Sequence, residues 1–202
     1  MPLFRGRLPG QLIIQYSNHC NADCPQCGMR RSETISRASL DKDQTKRLID
    51  EAAAQGVRAL SLTGGEPLLF LDDIVDLINH ASKAGIPYVR TGTNGFIFKN
   101  SDHPGYQQKI TEIVEKLAGT DIYTFWISLD SANPASHEQI RGLNGVVRGM
   151  EQALPIFHDH GIYPAVNLGI NRATGPNQDK PFLEGSTPDV FKQCFKDAYE
   201  HF

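Results

Sequence analysis

Apolar positions along the chain fall into two alternating rhythms. Leu48, Ile49, Ala52 and Ala53 lie on one helical stripe, as do Ile74, Leu77, Ile78 and Ala81, then Ile110, Ile113, Val114 and Leu117, and finally Val147, Met150, Ala153, Leu154 and Phe157. Spacings of three and four residues put each set on one face of a helix. Gly56, Gly85, Gly119 and Gly161 stand where the four stripes stop, as helix-ending glycines do. Short runs rich in β-branched or aromatic residues separate the stripes, and they predict strands over 11–16, 57–62, 86–90, 122–129 and 162–168. In the second run Val57, Ala59, Leu60 and Leu62 are apolar, the pattern of a strand covered on both faces.

The order is therefore strand and helix in alternation. Such repeated units with right-handed crossovers build a parallel sheet that curls toward a barrel. Asp41-Lys42-Asp43-Gln44 has the form of a capping box at the start of the first long helix. Asn133-Pro134 opens a further helical stretch around residues 137–141, and Pro155 is placed to bend the helix that follows. Residues 171–188, dense in Gly, Pro, Asn and Asp, read as a loop, and an amphipathic helix is expected over 189–199.

Composition narrows this to one domain. With 202 residues and 40% hydrophobic content the chain can bury a single good core. A net charge of −3 and an isoelectric point near 6.1 give no general reason to bind nucleic acid or an acidic membrane surface, although Arg30, Arg31 and Arg37 could form a local basic patch toward an anionic substrate. The apolar run at 12–14 is too short for a signal peptide or a membrane span, so a cytoplasmic protein is expected.

Three of the four cysteines, Cys20, Cys24 and Cys27, fall inside eight residues directly after the first strand. Thiolates suit iron-sulfur clusters and zinc, and three of them match three corners of a cubane while leaving its fourth iron without a local protein ligand. The alternatives are a zinc knuckle or a redox Cys-x-x-Cys pair; zinc sites favour a second pair of ligands, and none lies nearby. The other polar or glycine residues of interest also follow strand ends: Gly64, Gly65 and Glu66 after the second, Asn94 after the third, Ser128 and Asp130 at the fourth, Asn167 and Asn171 at the fifth. Carboxyl ends of parallel strands converge on one face, where ligands bind. Turn capping is the alternative for Asn94 and Asp130, an ordinary turn for Gly64-Gly65, and a surface salt bridge for Arg141. Trp126, within a strand pattern, reads as core. His19, His80, His103, His158 and His160 have no ligand-like spacing to the cysteines.

The Cys-x3-Cys-x2-Cys spacing, followed by Gly64-Gly65-Glu66-Pro67, resembles the two motifs of the radical S-adenosylmethionine (SAM) superfamily. The resemblance implies a partial (β/α)6 barrel of parallel strands. Only five strands are countable, so the last strand is expected to be absent and the chain is expected to be a C-terminally incomplete core domain over 1–202. It further implies a [4Fe-4S] cluster on Cys20, Cys24 and Cys27, with SAM chelating the fourth iron. Reductive cleavage would then give a 5'-deoxyadenosyl radical that abstracts hydrogen from a small-molecule or peptide substrate. Glu66 would accept from the SAM ammonium, Asn94, Ser128, Asp130 and Asn167 would contact its ribose or methionine parts, and Arg141 would pair with its carboxylate. An electron donor such as flavodoxin or ferredoxin is implied as partner. One position departs from the usual pattern: Gln26 stands where an aromatic commonly precedes the third cysteine. Two other readings differ in class: an electron-transfer protein with Cys194 as fourth ligand, and a non-catalytic SAM-binding scaffold.

Overall fold

The computed structural model describes residues 10–169 except 33 and 132, together with 192, 193, 196 and 200. Within that span the strands are β1 (Leu12–Ser17), β2 (Ala59–Gly64), β3 (Tyr88–Thr93), β4 (Ile122–Leu129) and β5 (Ala165–Leu168). They form one sheet in the order β1-β2-β3-β4-β5, and every neighbouring pair is parallel. Helices α1 (Gly28–Arg31), α2 (Lys42–Ala54), α3 (Leu71–Lys83), α4 (Tyr106–Ala118), α5 (Pro134–Arg141) and α6 (Val146–Asp159) fill the connections. The expected loop over 171–188, Asn171 and Cys194 lie outside the described residues; of the final helix expected over 189–199 only Lys192, Gln193 and Lys196 are described, and they are helical.

Period two along the strands divides the sheet into two unlike faces. Ile14, Tyr16, Leu60, Leu62 and Val89 pack with Ile49 of α2 and Ile74, Leu77, Ile78 and Ala81 of α3. Phe125, Ile127 and Leu129 pack with α4 and α6, where Phe125 stacks on Phe157 at 5.5 Å. The intervening positions, among them Ser61, Thr63, Arg90, Thr124 and Trp126, line a cavity instead. Ile13 of β1 and Ala165 of β5, from opposite ends of the strand order, border the same cavity, so the sheet is curled into an open, partial barrel.

Two expectations are corrected here. β2 is not covered on both faces by apolar packing: Leu60 and Leu62 enter the core, while Ser61 and Thr63 face the cavity. Trp126 is not core, because Phe125 and Ile127 on either side of it take the core-facing positions of β4.

Strands β2, β3 and β5 begin two or three residues later than the apolar runs suggest, and the reason is helix capping. Gly56, Gly85 and Gly161 have φ of 84°, 95° and 76°. The residue after each glycine donates its N–H back to a helix carbonyl, Val57 to Ala52, Ile86 to Ala81 and Ile162 to Phe157, at 2.9–3.0 Å. These are Schellman closures, in which the buried Val57, Ile86 and Ile162 are the apolar contacts of the cap rather than the first strand residues. The capping box at Asp41 is present through its carboxylate, which accepts from the Gln44 N–H at 2.8 Å. Helix α6 runs through Pro155.

Candidate active site

The cysteine loop leaves β1 at Ser17 and is tied down from three directions. On one side the β2 exit reaches it through backbone alone: Gly65 N–H donates to Ser17 O at 2.6 Å and Glu66 N–H to His19 O at 2.8 Å. A Cβ on Gly65 would lie 2.0 Å from His19 O, and one on Gly64 would lie 2.3 Å from Ser17 O. The glycines are therefore needed first for backbone to pass against backbone, and through that contact they set the cysteines beside the β2 exit. On a second side, Asp23 N–H donates to Arg141 O at 2.8 Å at the end of α5. From β3, Asn94 Nδ2 donates to Asn21 Oδ1 at 3.0 Å and lies 3.5 Å from Cys20 Sγ. Ala22, inside the loop, is buried against the α4/α6 core.

Arg37 does not present a free basic patch. Its Nη1 donates to the carbonyls of Asn18 and Met29, at 2.9 and 3.2 Å, and so braces the loop. The side chains of Arg30 and Arg31 are not among those described.

Cys20, Cys24 and Cys27 are partly exposed and form no disulfide. Burial pushes the Cys24 thiol up to about 11, with Arg141 opposing the shift. Among the described residues no three His, Cys, Asp or Glu side chains are gathered around one point as ligands of a single ion would be. A cubane takes one thiolate on each iron, so three ligands on a Cys-x3-Cys-x2-Cys loop fit it without meeting at one point.

Glu66 is 1% exposed and caps the 3-10 turn Pro67–Phe70. Its Oε1 accepts from Leu68 N–H at 3.0 Å and its Oε2 from Asn94 N–H at 2.6 Å. Burial raises its pKa to about 7 in spite of those two bonds, a bond from Thr93 and the field of Arg141. A buried carboxylate balanced between its charged and neutral forms is suited to a cationic partner.

Arg141 Nε stands 2.7 Å from Asp130 Oδ2, and both side chains are nearly buried. Neither atom makes a well-directed hydrogen bond among the described residues, so the contact is an ion pair held by charge. His137 lies beneath them. Its Nδ1 accepts from Asp130 N–H at 3.2 Å, which puts the ring proton on Nε2, where it has no partner among the described residues. Burial, with the nearby Arg141, holds its pKa down to about 4, and the ring stays neutral.

These pieces meet around a cavity of about 160 Å³ at the carboxyl ends of the strands. Of the residues singled out in the sequence, Gly64, Gly65, Glu66, Asn94, Ser128, Arg141 and Asn167 line it; Asp130 stands behind Arg141. Sequence reasoning missed Gly92 and Trp126, and from the stretch 137–142, which resembles one that follows the fourth strand in the superfamily, it gave a role to Arg141 alone. Gly92 carried a signal, since glycine inside a strand often marks a close approach, and a Cβ there would lie 2.5 Å from the Trp126 indole.

A sequence profile of the Radical SAM superfamily matches residues 14–179. The chain is 32% identical over 137 residues to an AdoMet-dependent heme synthase of Methanosarcina barkeri, covering 68% of this chain and 36% of that protein. It is 30% identical over 151 residues to a probable GTP 3',8-cyclase of Sulfolobus acidocaldarius, covering 73% of this chain and 44% of that protein. It thus spans less than half the length of these two relatives. Among solved structures, Streptococcus suis SuiB bound to S-adenosylmethionine superposes with a TM-score of 0.63 at 18% identity, over 96% of this chain and 39% of that one. The protein described as anSMEcpe with bound AdoMet gives 0.55 at 19% identity, over 94% and 49%. At such identities the likeness shows the fold.

Proposed function

The chain belongs to the radical SAM superfamily, whose enzymes use a [4Fe-4S] cluster and S-adenosylmethionine, and from this premise we propose that Cys20, Cys24 and Cys27 hold the cluster while the cavity beside them holds SAM. A cluster held by these cysteines would, once reduced, supply the electron for reductive cleavage of SAM to methionine and a 5'-deoxyadenosyl radical, the hydrogen-abstracting species of the superfamily. The observation that carries this reading is the joining of three strand ends: Glu66 and Asn94 line one cavity, and the Asn94 amide reaches Cys20 Sγ at 3.5 Å.

The residues divide the work by chemistry. Glu66, anionic once its proton is lost near 7, accepts the ammonium of SAM, while Arg141 offers guanidinium N–H groups to the carboxylate. Asp130 orients Arg141 by the 2.7 Å ion pair. Ser128 and Asn167, in register across β4 and β5, supply a hydroxyl and an amide toward the ribose. The half-buried floor at Trp126 limits water beneath the bound nucleotide. The reductant is a small electron-transfer protein such as flavodoxin or ferredoxin, and the reaction is of the cofactor-building or peptide-modifying kind. The names of the relatives, a heme synthase and GTP cyclases, favour the first of these.

The test is anaerobic reconstitution with iron and sulfide, addition of SAM and a strong reductant, and chromatography for 5'-deoxyadenosine. Formation of the product by the wild type, and its loss in Cys24→Ala together with the cluster absorbance, is expected. A fully loaded cluster that yields no 5'-deoxyadenosine would overturn the reading.

A further inference from the structure

Below the cofactor pocket lies a second, larger cavity of about 410 Å³, on the concave face of the sheet. The two share Thr63, Trp126 and Asn167 in their walls, so they adjoin across the Trp126 ring. Strand register gives the lower cavity a layered floor. Ile13, Ser61, Arg90 and Thr124 lie side by side on β1 to β4, as the pairs Ile13 with Ser61, Ser61 with Arg90 and Arg90 with Thr124. One layer nearer the strand ends, Gly92 pairs with Trp126 and Trp126 with Ala165.

Arg90 is the only charged residue among the described residues that line this cavity. Its guanidinium stands 6.0 Å from the Trp126 ring centroid, and one Nη2 N–H goes to Gln11 Oε1 at 3.2 Å. No carboxylate pairs with it among the described residues. A guanidinium has five N–H donors, and contact with an aromatic ring uses its face rather than those in-plane donors. Arg90 is exposed at the open end of this cavity, and its remaining donors are available to a ligand in the space that Ser61 and Thr124 also line. Gly92 is part of the arrangement, because any side chain there would strike the indole that backs Arg90.

Resting on the SAM reading above, we infer that the substrate is a small molecule carrying an oxyanion group, a carboxylate or a phosphate, which Arg90 seats at the floor of the barrel with Ser61 and Thr124 beside it. Asn94 lies four positions beyond Arg90, just past the end of β3, a rise of about 13 Å. That span leaves room for the arginine side chain and a substrate of several bonds, with its anion down and its C–H bonds up toward the cofactor rim. Arg90 is thereby a specificity-determining residue, and Trp126 is the wall that the substrate body lies against.

Trp126 is the sole tryptophan of the chain, so it reports on its own neighbour. The reconstituted protein without SAM would be titrated with inorganic pyrophosphate and, separately, with succinate, at ionic strength held constant with chloride, while Trp126 emission is followed. A saturable change with at least one anion is expected, together with a tenfold or greater loss of apparent affinity in Arg90→Gln and a smaller loss in Arg90→Lys. Response to pyrophosphate alone assigns a phosphate, response to succinate alone a carboxylate. No saturable change with either in the wild type, or equal affinity in Arg90→Gln, would overturn the inference. The wild-type 5'-deoxyadenosine assay, which needs neither anion, separates this result from failure of the SAM reading.

Discussion

Glu66 Oε2 accepts the backbone N–H of Asn94 at 2.6 Å, so a buried carboxylate joins the β2 exit to the β3 exit. Its other oxygen is spent on Leu68 N–H. Glu66→Ala would strand two backbone donors in a site that is 1% exposed. Hydrogen bonds to a charged group carry about 1.5–3 kcal/mol each, so a loss of roughly 3 kcal/mol or more in chemical denaturation is expected, with weaker SAM binding. Unchanged stability would mean that the two N–H groups find other acceptors.

The same carboxylate gives stability a pH dependence of definite sign. An unfolded glutamate loses its proton near 4.5, whereas burial raises native Glu66 to about 7. Between these values the native state holds a proton that the unfolded state has lost, so stability falls as pH rises through the window and is level on either side. The total is about 3 kcal/mol. Denaturation midpoints of the wild type minus those of Glu66→Gln, taken from pH 4 to 8, should show that decline. SAM affinity should move the other way, rising with pH toward 7 as the carboxylate becomes available to the ammonium.

Gly65→Ala places a Cβ 2.0 Å from His19 O, a backbone atom that cannot swing aside. The β2 exit must back away from the cysteine loop, at a cost of about 1–3 kcal/mol for overpacking. The expected consequence is local: iron content after reconstitution drops more than the melting temperature implies, because the Gly65 to Ser17 and Glu66 to His19 bonds are what set the loop. Full iron occupancy in a destabilised variant would show that the loop keeps its shape without them.

Asp130 and Arg141 form a nearly buried pair, and removing one partner of such a pair costs about 3–5 kcal/mol because the other charge is left behind. Asp130→Ala should show that loss. Asp130→Ala combined with Arg141→Met should be markedly more stable than the single variant, and a double-mutant cycle measures the difference.

The βα alternation, the helix stops and the cysteine loop after β1 are all legible in the sequence, because each depends on local spacing. Glycines such as Gly56 announce a helix end whatever surrounds them, and three cysteines in eight residues need no tertiary context. What escaped depends on the curl of the sheet. Trp126 reads as core by its chemistry, yet Phe125 and Ile127 take the core-facing positions and turn it to the concave side. The apolar runs suggest early strand starts because Val57, Ile86 and Ile162 are apolar for the sake of a helix cap. His137 is buried through long-range packing that no short pattern records.

On the proposed reading, Asn94 makes the most specific demand on the cluster that Cys20, Cys24 and Cys27 would hold. Its Oδ1 accepts from Phe96 N–H at 2.9 Å, which fixes the amide so that Nδ2 faces Asn21 and Cys20. An N–H near a thiolate sulfur stabilises the more negative, reduced cluster, and hydrogen bonds to sulfur are among the factors that set cluster potentials. Asn94→Leu removes that donor, so the reconstituted cluster should become harder to reduce. Asn94→Asp keeps the shape and the Phe96 bond but turns a negative oxygen toward the sulfur, and it should lower the potential further. Redox titration followed by electron paramagnetic resonance reads both. If the potentials of both variants match the wild type, the 3.5 Å approach to Cys20 has no electronic effect, and Asn94 serves only to tie the β3 exit to the cysteine loop.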